Sequence, residues 1–314
     1  MSELINDFIW QGRDDVEDGH QGKRWHHKAN DADMHKGVGL VGFGCDLGVA
    51  ANKGRVGASN GPNAIRNALA NQAWHWDASL NDSGNVIAES ELQTAQKCYA
   101  DALAQQLDQQ LLVIGLGGGH EIAWGSYQGL LASKHVKTDS RIGIINFDAH
   151  FDLRTPAPHP SSGTPFRQIA EHCQQQSKTF SYCCLGIAET ANTRALFDYA
   201  EQTGTQYLLD HQCTRLNAIK LLETFLTDID ELYVTICLDA LPAHVAPGVS
   251  SPSPLGIQPQ FVIEVLQWLG ERSKQSKVAW RIADIAEMNP AYDLDNRTAR
   301  IAARLVHEIV QAVL

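Results

Sequence analysis

Short apolar runs alternate with longer amphipathic stretches along most of the chain. Gly37–Cys45 is an apolar, glycine-rich run that reads as a strand. It leads through a glycine-rich loop to a helix opened by Gly61-Pro62, where proline suits the first turn. A second helix is predicted from about Glu91 to Gln110, in a stretch rich in Ala, Gln and Leu. Leu111–Ile114 is strand-like and Glu121–Ala132 helical. Further strands are predicted at Arg141–Phe147, Thr179–Ile187, Gln206–Leu209, Leu232–Leu238 and Val278–Ile285, with helical patterns at about 191–202, 214–228, 259–271 and 295–313. Short buried runs separated by helices indicate a parallel sheet covered on both faces. The expected fold class is therefore α/β: one domain of three layers, helix–sheet–helix, around a mainly parallel sheet. Residues 1–36 are polar, rich in Asp, His and Gly, and read as an irregular arm packed on that domain. Residues 37–314 are expected to form that single domain, with no linker or internal repeat.

Composition narrows the possible partners. The chain has 314 residues, 44% of them hydrophobic, which is too many for intrinsic disorder. Its 36 acidic and 25 basic side chains give a formal charge of −11, so nucleic acid and membrane surfaces are not expected partners. No stretch approaches the roughly 20 apolar residues of a membrane helix, and the first thirty residues lack the apolar core of a signal peptide. Seven cysteines, two of them adjacent, do not suggest a disulfide framework, and a reducing, cytoplasmic compartment is expected.

In sheets of this kind ligands bind beyond the carboxyl ends of the strands. Three strand ends carry chemistry. One is Asp148-Ala149-His150-Phe151-Asp152, whose polar groups alternate and in an extended chain project to one side. Two carboxylates and an imidazole suit a divalent metal such as Mn, Fe, Co or Zn, although alone the segment is as readily a solvated polar loop. The second is Gly118-Gly119-His120-Glu121, which sets His120 at the mouth of the sheet. The third is Thr235-Ile236-Cys237-Leu238-Asp239, where an acid at the end of a buried strand is costly unless paired or metal-bound. Taken alone, Cys237 is a small buried hydrophobe. Glu287, after the last strand, is a candidate for gripping a cationic substrate group; its bland reading is a capping or surface glutamate. Arg154 and Arg167 flank Ser161–Phe166 and are candidates for a substrate carboxylate, or simply surface arginines.

Together these segments resemble the ureohydrolase (arginase/agmatinase) superfamily. That family carries Gly-Gly-x-His, Asp-Ala-His-x-Asp, and a strand ending in Asp-x-Asp followed by an Ala-Pro-Gly loop. Here they read Gly118-Gly119-His120, Asp148–Asp152, Cys237-Leu238-Asp239 and Ala246-Pro247-Gly248. Within the superfamily, the chain is most similar to the branch that hydrolyses N-formimidoyl-L-glutamate to L-glutamate and formamide in histidine degradation. Trp10–Asp15, Asn52–Ala58, Asp152-Leu153-Arg154, Ser161–Arg167, Leu241–Ser250 and Asp284–Pro290 carry that likeness. Arginases place Asn at the position of Arg154 and a proton-shuttling His at that of Ser162, so arginase itself is disfavoured.

The resemblance implies an arginase-like fold, a homo-oligomer, a small-molecule substrate and two Mn²⁺ ions bridged by hydroxide. His120, Asp148 and Asp152 would bind one ion, and Asp148, His150 and Asp239 the other. The hydroxide would attack the formimidoyl carbon. Glu287 would hold the amidinium, Asp152 would pass a proton, and Arg154, Arg167 and Ser162 would bind the substrate. The first Asp of Asp-x-Asp bridges both ions in the family, and here that position is Cys237. A thiol offers one soft sulfur and must deprotonate to ligate. Three outcomes stand open: a bridging thiolate with altered metal preference, a one-metal site, or metals too weakly held to matter. Another ureohydrolase acting on a guanidino or amidino acid, and a metal-poor pseudoenzyme, are the alternative functions.

Overall fold

The computed structural model describes residues 2–30 and 37–314. Nine strands form one sheet: β1 (Glu3–Ile5), β2 (Val38–Gly44), β3 (Leu80–Ile87), β4 (Leu112–Gly117), β5 (Ile142–Phe147), β6 (Ser181–Ile187), β7 (Gln206–Leu209), β8 (Glu231–Cys237) and β9 (Ala279–Ala286). Their order is β1-β3-β2-β4-β9-β8-β5-β6-β7. Every pairing is parallel except β1 with β3.

The helices are α1 (Trp25–Lys28), α2 (Leu47–Ala51), α3 (Gly61–Ala70), α4 (Leu92–Leu107), α5 (Ile122–Ala132), α6 (Pro165–Gln175), α7 (Arg194–Gln202), α8 (Arg215–Phe225), α9 (Pro259–Gln275) and α10 (Arg297–Val313). Strand side chains alternate between two cores. Leu232, Val234 and Ile236 of β8 pack into one, with α3, α8, α9 and α10. Tyr233 points to the other, with α4, α5, α6 and α7. Helix α10 buries Ala299, Ala302, Ala303, Val306, Ile309 and Val310, the spacing of a helix with one inward stripe. The three-layer α/β architecture expected from the run pattern is therefore present. Among the described residues no helix is long and apolar enough to cross a membrane, and all seven cysteines are free.

Five elements, β1, α1, α2, β3 and α6, escape the apolar pattern. Strand β3 carries Asn81, Asp82, Ser83 and Asn85, so its pattern predicts no strand; its buried Asp82 and Asn85 serve the buried guanidinium of Arg66 on α3. Helix α6 starts at Pro165, inside the segment read for its arginines. The N-terminal arm is not wholly irregular. β1 extends the sheet, and Trp25 is fully buried in edge-on contact with Trp74 and Trp76. Residues 31–36, where the arm was expected to end, lie outside the described residues.

Candidate metal centre

Four adjacent strands, β4, β9, β8 and β5, deliver the site from their carboxyl ends. After β4, Gly118 and Gly119 bring the chain to His120. A Cβ on Gly119 would collide with the carboxylate of Glu121, so only glycine allows that close approach. His120 is buried. Its Nε2 lies 3.0 Å from the Thr235 hydroxyl of β8, and Thr235 stands in register beside Asp284 of β9. The buried Asp284 accepts hydrogen bonds from Ser126 at 2.6 Å and Tyr233 at 2.5 Å. The opposite ring nitrogen, Nδ1, faces into the site, 2.9 Å from Asp148 Oδ2 and 2.9 Å from Asp152 Oδ2. It is buried and hydrogen-bonded to neither. An imidazole fixed at one nitrogen, with the other turned toward carboxylates, has the arrangement of a metal ligand.

Asp148 is the hub. Its Oδ1 accepts from the His150 backbone N–H at 2.7 Å and its Oδ2 from Asn146 at 3.1 Å. The ligand atoms of His120, Asp148 and Cys237 lie within 4.8 Å of one another, as do those of Asp148, His150 and Asp239. His150 Nδ1 is 3.2 Å from Asp239 Oδ2. Strand alternation is not what gathers the Asp148–Asp152 segment. β5 stops at Phe147 and the three side chains converge from a loop, with Asp152 at φ +49°. Asp239 likewise sits in a short turn after β8 rather than on the strand.

The electrostatics are those of an acid cluster with no Lys or Arg ion pair among the described residues. Burial works against charging His150, yet Asp239 and Asp148 push its pKa up to about 12. His120 is raised in the same way by Asp148 and Asp152, against its burial. Burial and the charge of Asp148 raise Asp152 to about 6. Burial, reinforced by Asp239 and Glu121, raises Glu287 to about 8. Such a cluster takes up positive charge, either as protons on the imidazoles or as a divalent metal in their place. The buried, unpartnered Nδ1 of His120 and Oδ1 of Asp239 fit a metal. Cys237 fits less well. Burial, then the charges of Asp148, Asp239 and Glu287, hold its thiol well above the ordinary range. A cation must displace that proton before sulfur can ligate.

A cavity of about 280 Å³ opens onto the cluster, and Asp152, Arg154, Ser162, Cys237, Asp239 and Glu287 all line it. Glu287, at φ +69°, accepts from the His120 N–H through Oε1 at 3.0 Å and keeps a buried, unpartnered Oε2. The side chain of Arg154 lies over Gly163, where a Cβ would obstruct it. Arg167 is not among the residues lining this cavity. Its guanidinium stacks on Tyr199 at 3.7 Å, bonds Glu171 at 3.0 Å, and faces an adjoining cleft that Arg154 also borders. Asn52, Lys53, Ser250 and Ser251 line the cavity without having been singled out as site residues in the sequence. For Asn52, Lys53 and Ser250 the signal is their place in the segments Asn52–Ala58 and Leu241–Ser250; Ser251 lies just beyond the second.

Two other features are set aside by their chemistry. A larger cleft of about 830 Å³ beside α7 and β7 is lined by neither histidine nor cysteine. Asp14, His26 and His27 come close together in the arm. There His27 Nδ1 accepts from the Arg24 N–H, so in the neutral ring Nε2 carries the proton it donates to Asp14 at 2.6 Å. That is a hydrogen-bonded staple, not a ligand set.

Residues 36–311 match the Arginase family. The chain is 47% identical over 311 residues to a formimidoylglutamase of Aeromonas hydrophila, covering 96% of this chain and 97% of the relative. It is 46% identical over 317 residues to one of Ralstonia nicotianae, covering 97% and 95%. Among solved structures, a Mn²⁺-containing formiminoglutamase of Trypanosoma cruzi superposes with a TM-score of 0.75 at 23% identity, over 88% of this chain and 93% of the other. A formimidoylglutamase of Bacillus subtilis gives 0.76 at 22% identity, over 90% and 89%. At those identities the structural likeness speaks for the fold.

Proposed function

The chain belongs to the arginase family, and on that footing we propose that it hydrolyses N-formimidoyl-L-glutamate to L-glutamate and formamide, as a step of histidine degradation. The carrying observation is one cavity that holds two ligand groups sharing Asp148, an unpartnered buried oxygen of Glu287, and the guanidinium of Arg154. These are receptors for metal, amidinium and carboxylate. The relatives at 46–47% identity over nearly their whole length are formimidoylglutamases.

In this reading His120, Asp148, Asp152 and Cys237 would hold one Mn²⁺, and Asp148, His150 and Asp239 would hold the other. Divalent ions there supply Lewis acidity and hydroxide at neutral pH. The residues do the rest. Glu287 Oε2 takes the cationic amidinium and aligns its carbon for attack. Asp152, which lines the cavity beside the cluster, takes a proton and returns it to the departing glutamate nitrogen. One water is consumed, and the bond between that nitrogen and the formimidoyl carbon breaks. Arg154 binds a substrate carboxylate, with Ser162 beside it. Arg167 supports the adjoining cleft rather than the reacting end. Cys237 weakens the hold on Mn²⁺ and tilts the site toward Zn²⁺ or Fe²⁺, since sulfur is a soft ligand.

The test is product analysis of the Mn²⁺-loaded protein. Metal-dependent formamide and L-glutamate from N-formimidoyl-L-glutamate, with no urea from arginine or agmatine, supports the reading. Urea release without formamide would overturn it in favour of another ureohydrolase. A protein that keeps its metal and turns over none of these would overturn it outright.

A further inference from the structure

Helix α2 ends in a turn whose backbone asks for one residue and whose sequence supplies another. The Gly54 N–H donates to Val49 O at 2.8 Å and the Lys53 N–H to Ala50 O at 3.0 Å. This paired closure is a Schellman motif, and it places Lys53 at φ +60°, the left-handed position that glycine normally fills. Of seven non-glycine residues with positive φ among those described, three, Lys53, Asp152 and Glu287, line the same cavity. Backbone strain gathered at one cavity marks residues kept for their side chains.

The turn is held firmly. The Gly48 N–H donates to Glu121 at 2.7 Å, the Ser162 N–H donates to Gly48 O at 3.0 Å, and the Arg55 N–H donates to the Ser250 hydroxyl at 2.9 Å. Lys53 is therefore presented by a turn anchored beside His120, Ser162 and the 241–250 loop. Among the described residues, Lys53 and Arg154 are the only Lys or Arg residues lining the cavity. Among the described residues neither side chain has an ion-pair partner, whereas Arg66, Arg167, Lys97, Lys277 and Arg304 are all paired with acids. Two free cations over an acidic floor match a ligand whose reacting end is cationic and whose other end carries two carboxylates.

We propose that Lys53 is a specificity-determining residue that binds the distal, side-chain carboxylate of the substrate, leaving the carboxylate beside the reacting nitrogen to Arg154. The division follows from placement. Arg154 lies two residues beyond the metal-cluster residue Asp152, so it reaches the carboxylate adjoining the reacting nitrogen. Lys53 comes from a separate loop and meets the far end. This rests on the proposed function for the identity of the ligand.

The test compares Lys53→Gly and Lys53→Met with the native protein. Lys53→Gly relieves the left-handed backbone, so its melting temperature should hold or rise. Both variants should raise KM for N-formimidoyl-L-glutamate about tenfold or more, with kcat little changed, as expected for loss of a charged contact. Neither should alter KM for N-formimidoyl-L-glutamine, whose distal group is neutral, and Lys53→Arg should restore much of the loss. Calorimetric binding of L-glutamate gives a readout independent of turnover. If the native protein binds L-glutamate through Lys53 yet releases no formamide, the proposed function falls and the Lys53 role stands. Equal KM and equal L-glutamate affinity in Lys53→Gly would overturn the Lys53 role while leaving formamide release intact. A KM loss of the same size for both substrates would also overturn it.

Discussion

Two of the places where the molecule buries charge are finished differently. Around Asp82 every charged atom is answered by protein. Arg66 meets both carboxylate oxygens, at 2.8 and 2.7 Å, and the Trp10 indole N–H and Gly84 N–H donate to the same group. The remaining guanidinium donors reach Asn85 and the Gly84 carbonyl. Around Asp148 the acids outnumber the bases, and His120 Nδ1, Asp239 Oδ1 and Glu287 Oε2 stay buried without hydrogen bonds. The first cluster is closed and rigidifies the join between arm, helix and sheet. The second is open, and its unanswered atoms face one cavity. Burial of charge alone does not mark a site; unfinished burial does.

That contrast can be broken at either end. The largest effect should follow Asp148→Ala or His120→Ala. Formamide release should fall to background and bound metal, measured by atomic absorption, should be lost, while the far-ultraviolet circular dichroism stays native. Retained metal and turnover would mean the open cluster is not the centre. Asp82→Ala should do the reverse. It strands a buried guanidinium and should cost about 3–5 kcal/mol in denaturant unfolding, while the protein that remains folded keeps its metal stoichiometry. Arg154→Ala should raise KM for N-formimidoyl-L-glutamate by about tenfold or more and leave metal content unchanged; an unaltered KM removes it from the substrate.

The smallest effect is the sharpest test of Cys237. In the native protein a proton must leave the thiol when sulfur ligates, so Mn²⁺ affinity should climb with pH. Cys237→Asp supplies a carboxylate in place of that high-pKa thiol. It should bind Mn²⁺ several-fold more tightly at neutral pH, with a shallower climb, as followed by titration calorimetry at several pH values. Identical pH slopes would show that sulfur does not ligate.

The same contrast explains what was legible in the sequence. The apolar strands β2, β4, β5, β8 and β9 announce themselves because both faces are buried, and the proposed ligands stand at or just beyond the ends of β4, β5 and β8. β3 did not, because Asp82 and Asn85 spend polar side chains on a partner in α3 that no local pattern reveals. His120, Asp148, His150 and Asp239 were readable as residue types at strand ends. Their convergence was not, since Asp152 and Asp239 reach the cluster from turns rather than by strand alternation. Lys53 was invisible for a related reason: its role depends on a backbone conformation, and a lysine after a short helix looks like any solvated cation. Arg167 was readable as a charge; that its guanidinium stacks on Tyr199 and bonds Glu171 was not.

The placement of the ligands has a consequence for the whole chain. His120 follows β4 and Asp148 follows β5, yet β9 and β8 lie between those two strands in the sheet. A cation held there would clamp two segments that are neighbours in the chain but stand on strands separated by two others in the sheet, and would act as a removable cross-link across β9 and β8. Because only the native arrangement gathers the ligands, occupancy is coupled to folding by mass action. Melting temperature then becomes a metal gauge that needs no substrate. It should climb with added Mn²⁺, fall with chelator, and lose both responses when Asp148 is replaced.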